Sequence, residues 1–325
     1  WTRRPVGSSG RAGAGHTGDL KTMNLIALLI GLVVERLATQ LFHLRRLRWL
    51  DRVIDRGFSL AARLANWPAL IPVLMIAVAL VLPVFAVMVA LGDSLLGFPY
   101  LLLAIVVLFF SLGPQDIGED VDEYCKAVES DDEERIRHSA KNILETDVPD
   151  GDLDRIHRVE EGVCIQANNR LFAVIFWFVV LGPFGAWAYR ATDLIRRRAV
   201  FAAARDEESD GVTDRNRTAA VTLHGWLAWI PARLTAVGYA AAGNFDTAIG
   251  AWRAPTEQKA ETLSERNEHL LARVGVAALA LQDEDDEELS ARAIRGATAA
   301  NRLVFRLLLI WAVVIAAMTL YGWTR

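Results

Sequence analysis

The residues with the greatest chemical capacity lie where a polar segment runs into an apolar one. On a helix of about 100° per residue, His157, Glu161, Cys164 and Asn168 share an arc of about 60°, while Ile156, Val159, Val163 and Ala167 occupy another face. Imidazole, carboxylate and thiol are zinc donors, yet zinc takes several convergent ligands and one stripe lacks the second pair. The stripe is therefore expected to contact other helices or a small ligand, with no metal site. Glu35 and Arg36 directly follow an apolar run. Charges at membrane depth are costly, so this pair lines a cavity, joins another segment, or reaches the interface through Arg36. Arg190 and Arg233 also follow apolar stretches, and a guanidinium there either binds a phosphate or holds the lipid interface. There is no Gly-x-x-x-x-Gly-Lys-Ser/Thr loop, no His-Glu-x-x-His, no Cys-x-x-Cys and no nucleophile elbow, so no catalytic residue is assigned and no cofactor is named.

These side chains need a membrane scaffold. Of the 325 residues 53% are apolar and 23% charged, with a net charge of −4. Mean hydropathy is +0.25. The apolar excess is concentrated: residues 69–91 and 95–112 carry no charge, and each run approaches the roughly 20 residues that span a bilayer. A wholly soluble enzyme is excluded. Two cysteines, Cys125 and Cys164, cannot make a secreted disulfide scaffold, and the near-neutral balance argues against nucleic acid as the main partner.

Along the chain, residues 1–22 read as a disordered extension or an upstream translation artefact, with Met23 as the natural start. Residues 23–113 form a membrane region. An N-terminal helix leads to a basic interfacial helix, in which Leu47, Leu50, Val53, Ile54 and Phe58 alternate with Arg48, Arg52 and Arg56, and a two-span hairpin follows. Residues 114–170 form a cytoplasmic helical segment, where Ser130 and Glu133 match a capping box. The apolar run in 171–195 is interrupted by Gly182-Pro183-Phe184-Gly185. A proline and flanking glycines loosen a helix, and a full crossing would put Arg196, Arg197 and Arg198 outside, so a re-entrant segment competes with a simple crossing. Residues 196–303 give cytoplasmic and interfacial helices, with Trp226 and Trp229 at the membrane face and Pro231 breaking the segment. Residues 304–325 supply the last span.

Several motifs together resemble the AmpE family. They are Leu-Leu-Ile-Gly-Leu-Val-Val-Glu-Arg at 28–36, Gly-Pro-Gln-Asp at 113–116, and Asn169-Arg-Leu-Phe leading into Leu181-Gly-Pro-Phe-Gly-Ala with Tyr189-Arg190. Ile230-Pro-Ala-Arg-Leu-Thr, Ala242-Gly-Asn-Phe-Asp and Leu320-Tyr-Gly-Trp complete the series, in order from about Met23 to Trp323. The resemblance implies an inner-membrane regulator or signal transducer in β-lactamase induction, tied to cell-wall recycling. That family is similar in turn to the CobD/CbiB enzymes, which join an amino-alcohol to cobyric acid. Matching their motifs puts Ile165, Gln166 and Asn169 at polar positions of the enzymes, and His224, Gly225 and Ala228 where they carry acids and an amide. Glu161, Tyr189, Arg190, Pro231 and Arg233 are kept. Ligation through an ATP-activated carboxylate needs metal-binding acids and general bases, and most of those positions are replaced.

The expected fold is an all-α, multi-pass helical membrane protein with cytoplasmic and interfacial amphipathic helices, in the bacterial inner membrane. Its main role is expected to be regulatory, and the alternatives are CobD-type catalysis or a small-ligand-binding membrane protein with a relic pocket. Expected partners are the lipid bilayer, a small anionic ligand and, in a homo-oligomer, further copies of the chain. The ligand set is Glu35, Arg36, His157, Glu161, Asn168, Asn169, Tyr189, Arg190 and Arg233.

Overall fold

The computed structural model describes residues 48–63, 67–92, 98–112, 116–205, 211–255, 260–282 and 287–320. Among them the regular structure is helical throughout. Glu35, Arg36 and the N-terminal apolar run lie outside the described residues.

Helix α1 (Arg48–Ala62) is amphipathic and rests its Leu50 and Ile54 on α2 (Leu70–Gly92). Gly57 permits the contact, because a Cβ there would meet the Ile76 side chain at 2.8 Å. α2 presents Leu74, Met75, Val78 and Leu82 outward, and a helix apolar on every face has lipid as its natural surroundings. α3 (Phe98–Ser111) is shorter and returns beside it. Three helical stretches, Leu70–Leu91, Asp152–Ala204 and Leu289–Met318, are long and apolar enough to cross a membrane.

A polar hairpin follows. α4 (Ile117–Glu129) starts on Asp116 and α5 (Glu133–Leu144) on Asp132, each carboxylate accepting a backbone N–H of the first turn. Such caps each stabilise a helix by about 1 kcal/mol. The cap is Asp132 instead of Ser130: Ser130 closes α4 and donates to the Ala127 carbonyl, while Asp131 turns the chain at φ 51°. Glu145 ends α5 in the left-handed region at φ 59°.

α6 (Asp152–Ala167) runs into a five-residue π-helical segment, Asn168–Phe172, and then into α7 (Ala173–Arg205). Within α7, Gly182 leaves helical geometry entirely at φ 67° and ψ −156°. Glycine adopts that conformation without a Cβ penalty. The chain doubles back there, since a Cβ on Gly185 would strike the Trp177 carbonyl, eight residues earlier. In a straight helix those residues would stand about 12 Å apart. The returning arm packs on α2, where Trp187 Nε1 donates to the Leu80 carbonyl at 2.9 Å.

α8 (Gly211–Ala242) continues unbroken through Pro231, contrary to the break expected there. The proline ring is buried against neighbouring helices, and tertiary packing outweighs the lost backbone bond. α9 (Phe245–Arg253) and α10 (Leu263–Leu279) pack on α8, with a Thr262/Glu265 capping box at the start of α10. α11 (Leu289–Leu320) is a single helix of 32 residues. One core fills the polar layer around Tyr124, Val163, Tyr239 and Leu307, and a second joins α3, α7 and α11 around Leu108, Phe178 and Ile315. Burial of side chains of this size stabilises by about 1.5–3 kcal/mol each.

Candidate functional site

The π-helical segment turns three consecutive polar residues inward. Asn168, Asn169 and Arg170 are all buried, which the 100° step of an α-helix does not favour. The extra residue of a π turn shifts the phase, and such turns recur at functional sites. Asn168 accepts from Thr235 Oγ1 of α8 at 3.0 Å and donates to Asn169, whose side-chain oxygen also accepts from the Tyr189 hydroxyl at 3.4 Å.

Arg170 ties this turn to the polar hairpin. It donates to Asp120 at 2.6 Å, to Glu145 at 2.8 Å and to the Asn142 carbonyl at 2.9 Å. The returning arm of α7 supplies the other half. Asp193 accepts from Arg190 and Arg197, each at 2.8 Å, and from Arg196 at 3.0 Å. Arg197 also donates to the Glu145 oxygen that Arg170 uses. The two ends of the apolar hairpin therefore meet on one carboxylate.

Four guanidinium groups thus face three carboxylates. His224 of α8 stacks 5.3 Å from the Tyr189 ring and places Nε2 3.8 Å from Asp193. Burial, with help from the Arg196 charge, pushes its pKa down to about 3, so the imidazole is neutral at pH 7. Burial also works against the charged form of Glu145, but Arg197 and Arg170 override it and hold that carboxyl below its usual value. For Asp120 the balance reverses: burial raises its pKa and Arg170 only partly offsets it. Glu268 of α10 is raised too, by burial, with Arg196 opposing.

Guanidinium-bound carboxylates are poor general bases, and arginine does not give up its proton. The cluster instead holds geometry, and it retains donors that no described group uses. Among the described residues Arg190 Nε, Arg196 Nε, Arg197 Nη2 and both His224 ring nitrogens lack a hydrogen-bond partner.

The expected ligand residues do not all converge. Asn168, Asn169, Tyr189 and Arg190 belong to this cluster. His157 is 53% exposed and Glu161 pairs with Arg158 on the surface. Cys164, from the same stripe, is buried against Gly275, and its carbonyl accepts from the Tyr239 hydroxyl at 2.7 Å. Arg233 takes different partners from Arg190: it donates to Asn267 at 2.7 Å and stacks on Trp229. No three His, Cys, Asp or Glu side chains among the described residues group as metal ligands would.

A family model described as "Regulatory signalling modulator protein AmpE" matches residues 23–324. The chain belongs to the AmpE family. It is also 30% identical over 150 residues to "Cobalamin biosynthesis protein CobD" of Stutzerimonas stutzeri strain A1501, a match covering 46% of this chain and 47% of that protein. The CobD protein of Chromobacterium violaceum strain ATCC 12472 is 26% identical over 159 residues, covering 48% and 49%. The chain spans about half the length of the curated relatives it matches. No solved structure matches it.

In this AmpE family member the cluster adds seven residues that reading the sequence did not assign to a site: Asp120, Glu145, Arg170, Asp193, Arg196, Arg197 and His224. Asp193 carried the available signal, being an acid one helical turn beyond the apolar run. The arginines after it suggested only which side of the membrane they occupy.

Proposed function

We infer that this AmpE family member is a multi-pass regulatory protein of the bacterial inner membrane, linked to β-lactamase induction and cell-wall recycling, and that it works without CobD-type amide ligation. The observation that carries this reading is the sharing of Glu145 by Arg170 and Arg197. The membrane hairpin between those arginines is bolted at both ends to the tip of a polar helical hairpin. A displacement of either element must break or re-pair buried ion pairs, which gives the arrangement discrete states and suits a relay.

Topology supports the same reading. Arg198 donates to Asp55 of the basic helix α1 through two contacts of 2.6 Å, so the arginines after the hairpin sit beside the amphipathic helix before the first span. That contact favours a re-entrant hairpin with both basic regions on the cytoplasmic side. A second reading, a CobD-like ligand pocket retained without its acids, is favoured by the open N–H donors of the cluster.

The test is complementation of a strain lacking its own AmpE family protein. Wild-type protein is expected to restore the normal pattern of inducible β-lactamase, and membrane-inserted Glu145→Gln protein to fail. Wild-type behaviour from the variant would remove the relay, and amide formation between an amino-alcohol and cobyric acid by the purified protein would replace this reading with the enzymatic one.

A further inference from the structure

A separate cavity of about 480 Å³ lies between α8, α9 and α10, in the size range of small-molecule sites. Its lining includes Arg233, Arg266, Arg273 and His269, with Trp252 and Leu270 as apolar wall, and no carboxylate among the described residues. The guanidinium groups of Arg233 and Arg266 face one space with no ion pair to either among the described residues, and such an arrangement gains from an anion.

Two local features show that the site is built. Arg233 lies 4.3 Å over the Trp229 ring and is fixed from the other side by Asn267, whose amide donates in turn to the Gly225 carbonyl at 3.0 Å. The guanidinium is thus held in place by a ring and an amide, with no acid among the described residues to neutralise it. His269 contributes a buried Nδ1 that has no hydrogen-bond partner among them.

Arg233 also belongs to an apolar face. Trp226, Trp229, Ile230 and Val237 are exposed on α8 and fall within about 60° of Arg233 at helical spacing. Tryptophan and arginine on one exposed face mark the level of lipid headgroups. The cavity therefore borders a surface suited to an acyl chain.

We propose that this cavity binds the phosphate group of an amphiphilic ligand, with Arg233 and Arg266 contacting the phosphate and the α8 stripe contacting the apolar part. The site is distinct from the buried cluster and does not depend on the regulatory reading. Two sources share this chemistry, an anionic phospholipid headgroup and a free phosphate.

Isothermal titration of the purified full-length protein in uncharged detergent distinguishes them, using dioctanoyl phosphatidylglycerol and inorganic phosphate as probes. Saturable binding of the lipid alone identifies a headgroup site, and binding of both shows that phosphate suffices. Arg266→Gln changes an exposed side chain with no ion pair among the described residues and is expected to weaken binding at least about tenfold. Arg306→Gln, on α11 and outside the cavity lining, is expected to leave it unchanged. Absence of saturable binding to either probe overturns the proposal, as does an equal loss in both variants.

Discussion

Replacing Asp193 by asparagine keeps the shape of the side chain and removes its charge. In the native protein its two oxygens receive Arg190, Arg196 and Arg197 at 2.8–3.0 Å, and the residue is fully buried. Asp193→Asn leaves the four guanidinium groups with two carboxylates, and it does so where water cannot compensate. Removing one partner of a buried ion pair typically costs about 3–5 kcal/mol, most of it the penalty of the charge left behind. For a chain of 325 residues, with an unfolding entropy of about 2.1 cal/mol/K per residue, that corresponds to a fall of about 4–7 °C in the unfolding midpoint. Thermal unfolding of the detergent-solubilised protein, followed by tryptophan fluorescence, measures it directly. The origin of the loss is checked with Arg190→Leu, which removes one stranded charge: the double variant should be more stable than Asp193→Asn alone. A loss below about 1 kcal/mol in the single variant, or simple addition of the two losses in the double, would falsify the account of the cluster as a mutually compensating network.

Two further outcomes follow from neighbouring features. His224 has a folded pKa of about 3 against 6.5 for the free side chain, so as pH falls through 6.5 the unfolded chain takes up the proton first and stability declines. At pH 5 the loss is about 2 kcal/mol, and chemical denaturation of His224→Gln at pH 7.5 and pH 5 should show it largely removed; an identical pH dependence in the variant counts against a neutral buried imidazole. Gly185→Ala places a Cβ against the Trp177 backbone carbonyl, which cannot yield as a side-chain tip would. That variant should lose monodisperse folded protein on size-exclusion chromatography, whereas Gly250→Ala, with nothing within 4 Å, should behave as wild type.

The fold was largely readable from the sequence because its main signals are local. Runs such as 69–91 announce a helix in lipid by length alone, and Gly182-Pro183 marks a break because it combines a lost donor with a free φ inside an apolar run. Cap choice was harder. Ser130 and Asp132 both precede α5, and the turn at Asp131 decides between them. Pro231 shows the opposite limit, since the buried contacts that carry α8 through it come from distant parts of the chain. The site was the least legible part. Arg197 and Glu145 are 52 residues apart, and nothing in either neighbourhood names the other. A π turn leaves no composition signal either, so the inward rotation of Asn168 to Arg170 could not be anticipated. Placing Cys164 and His157 on one stripe was sound helical geometry, but a stripe says nothing about which neighbour covers each end.

The shared anchor at Glu145 also bears on how the membrane is counted. Under the re-entrant topology proposed above, a segment that departs and returns at one carboxylate would contribute no net crossing and would leave the parity of the chain unchanged. Hydropathy alone scores the run between Arg170 and Arg197 as one passage, and under that proposal such a score would invert the assigned side of every helix from α8 to α11. The error would also demand that an arginine-rich flank be pushed through the bilayer during insertion. With even parity, that flank never has to leave the side on which it is made.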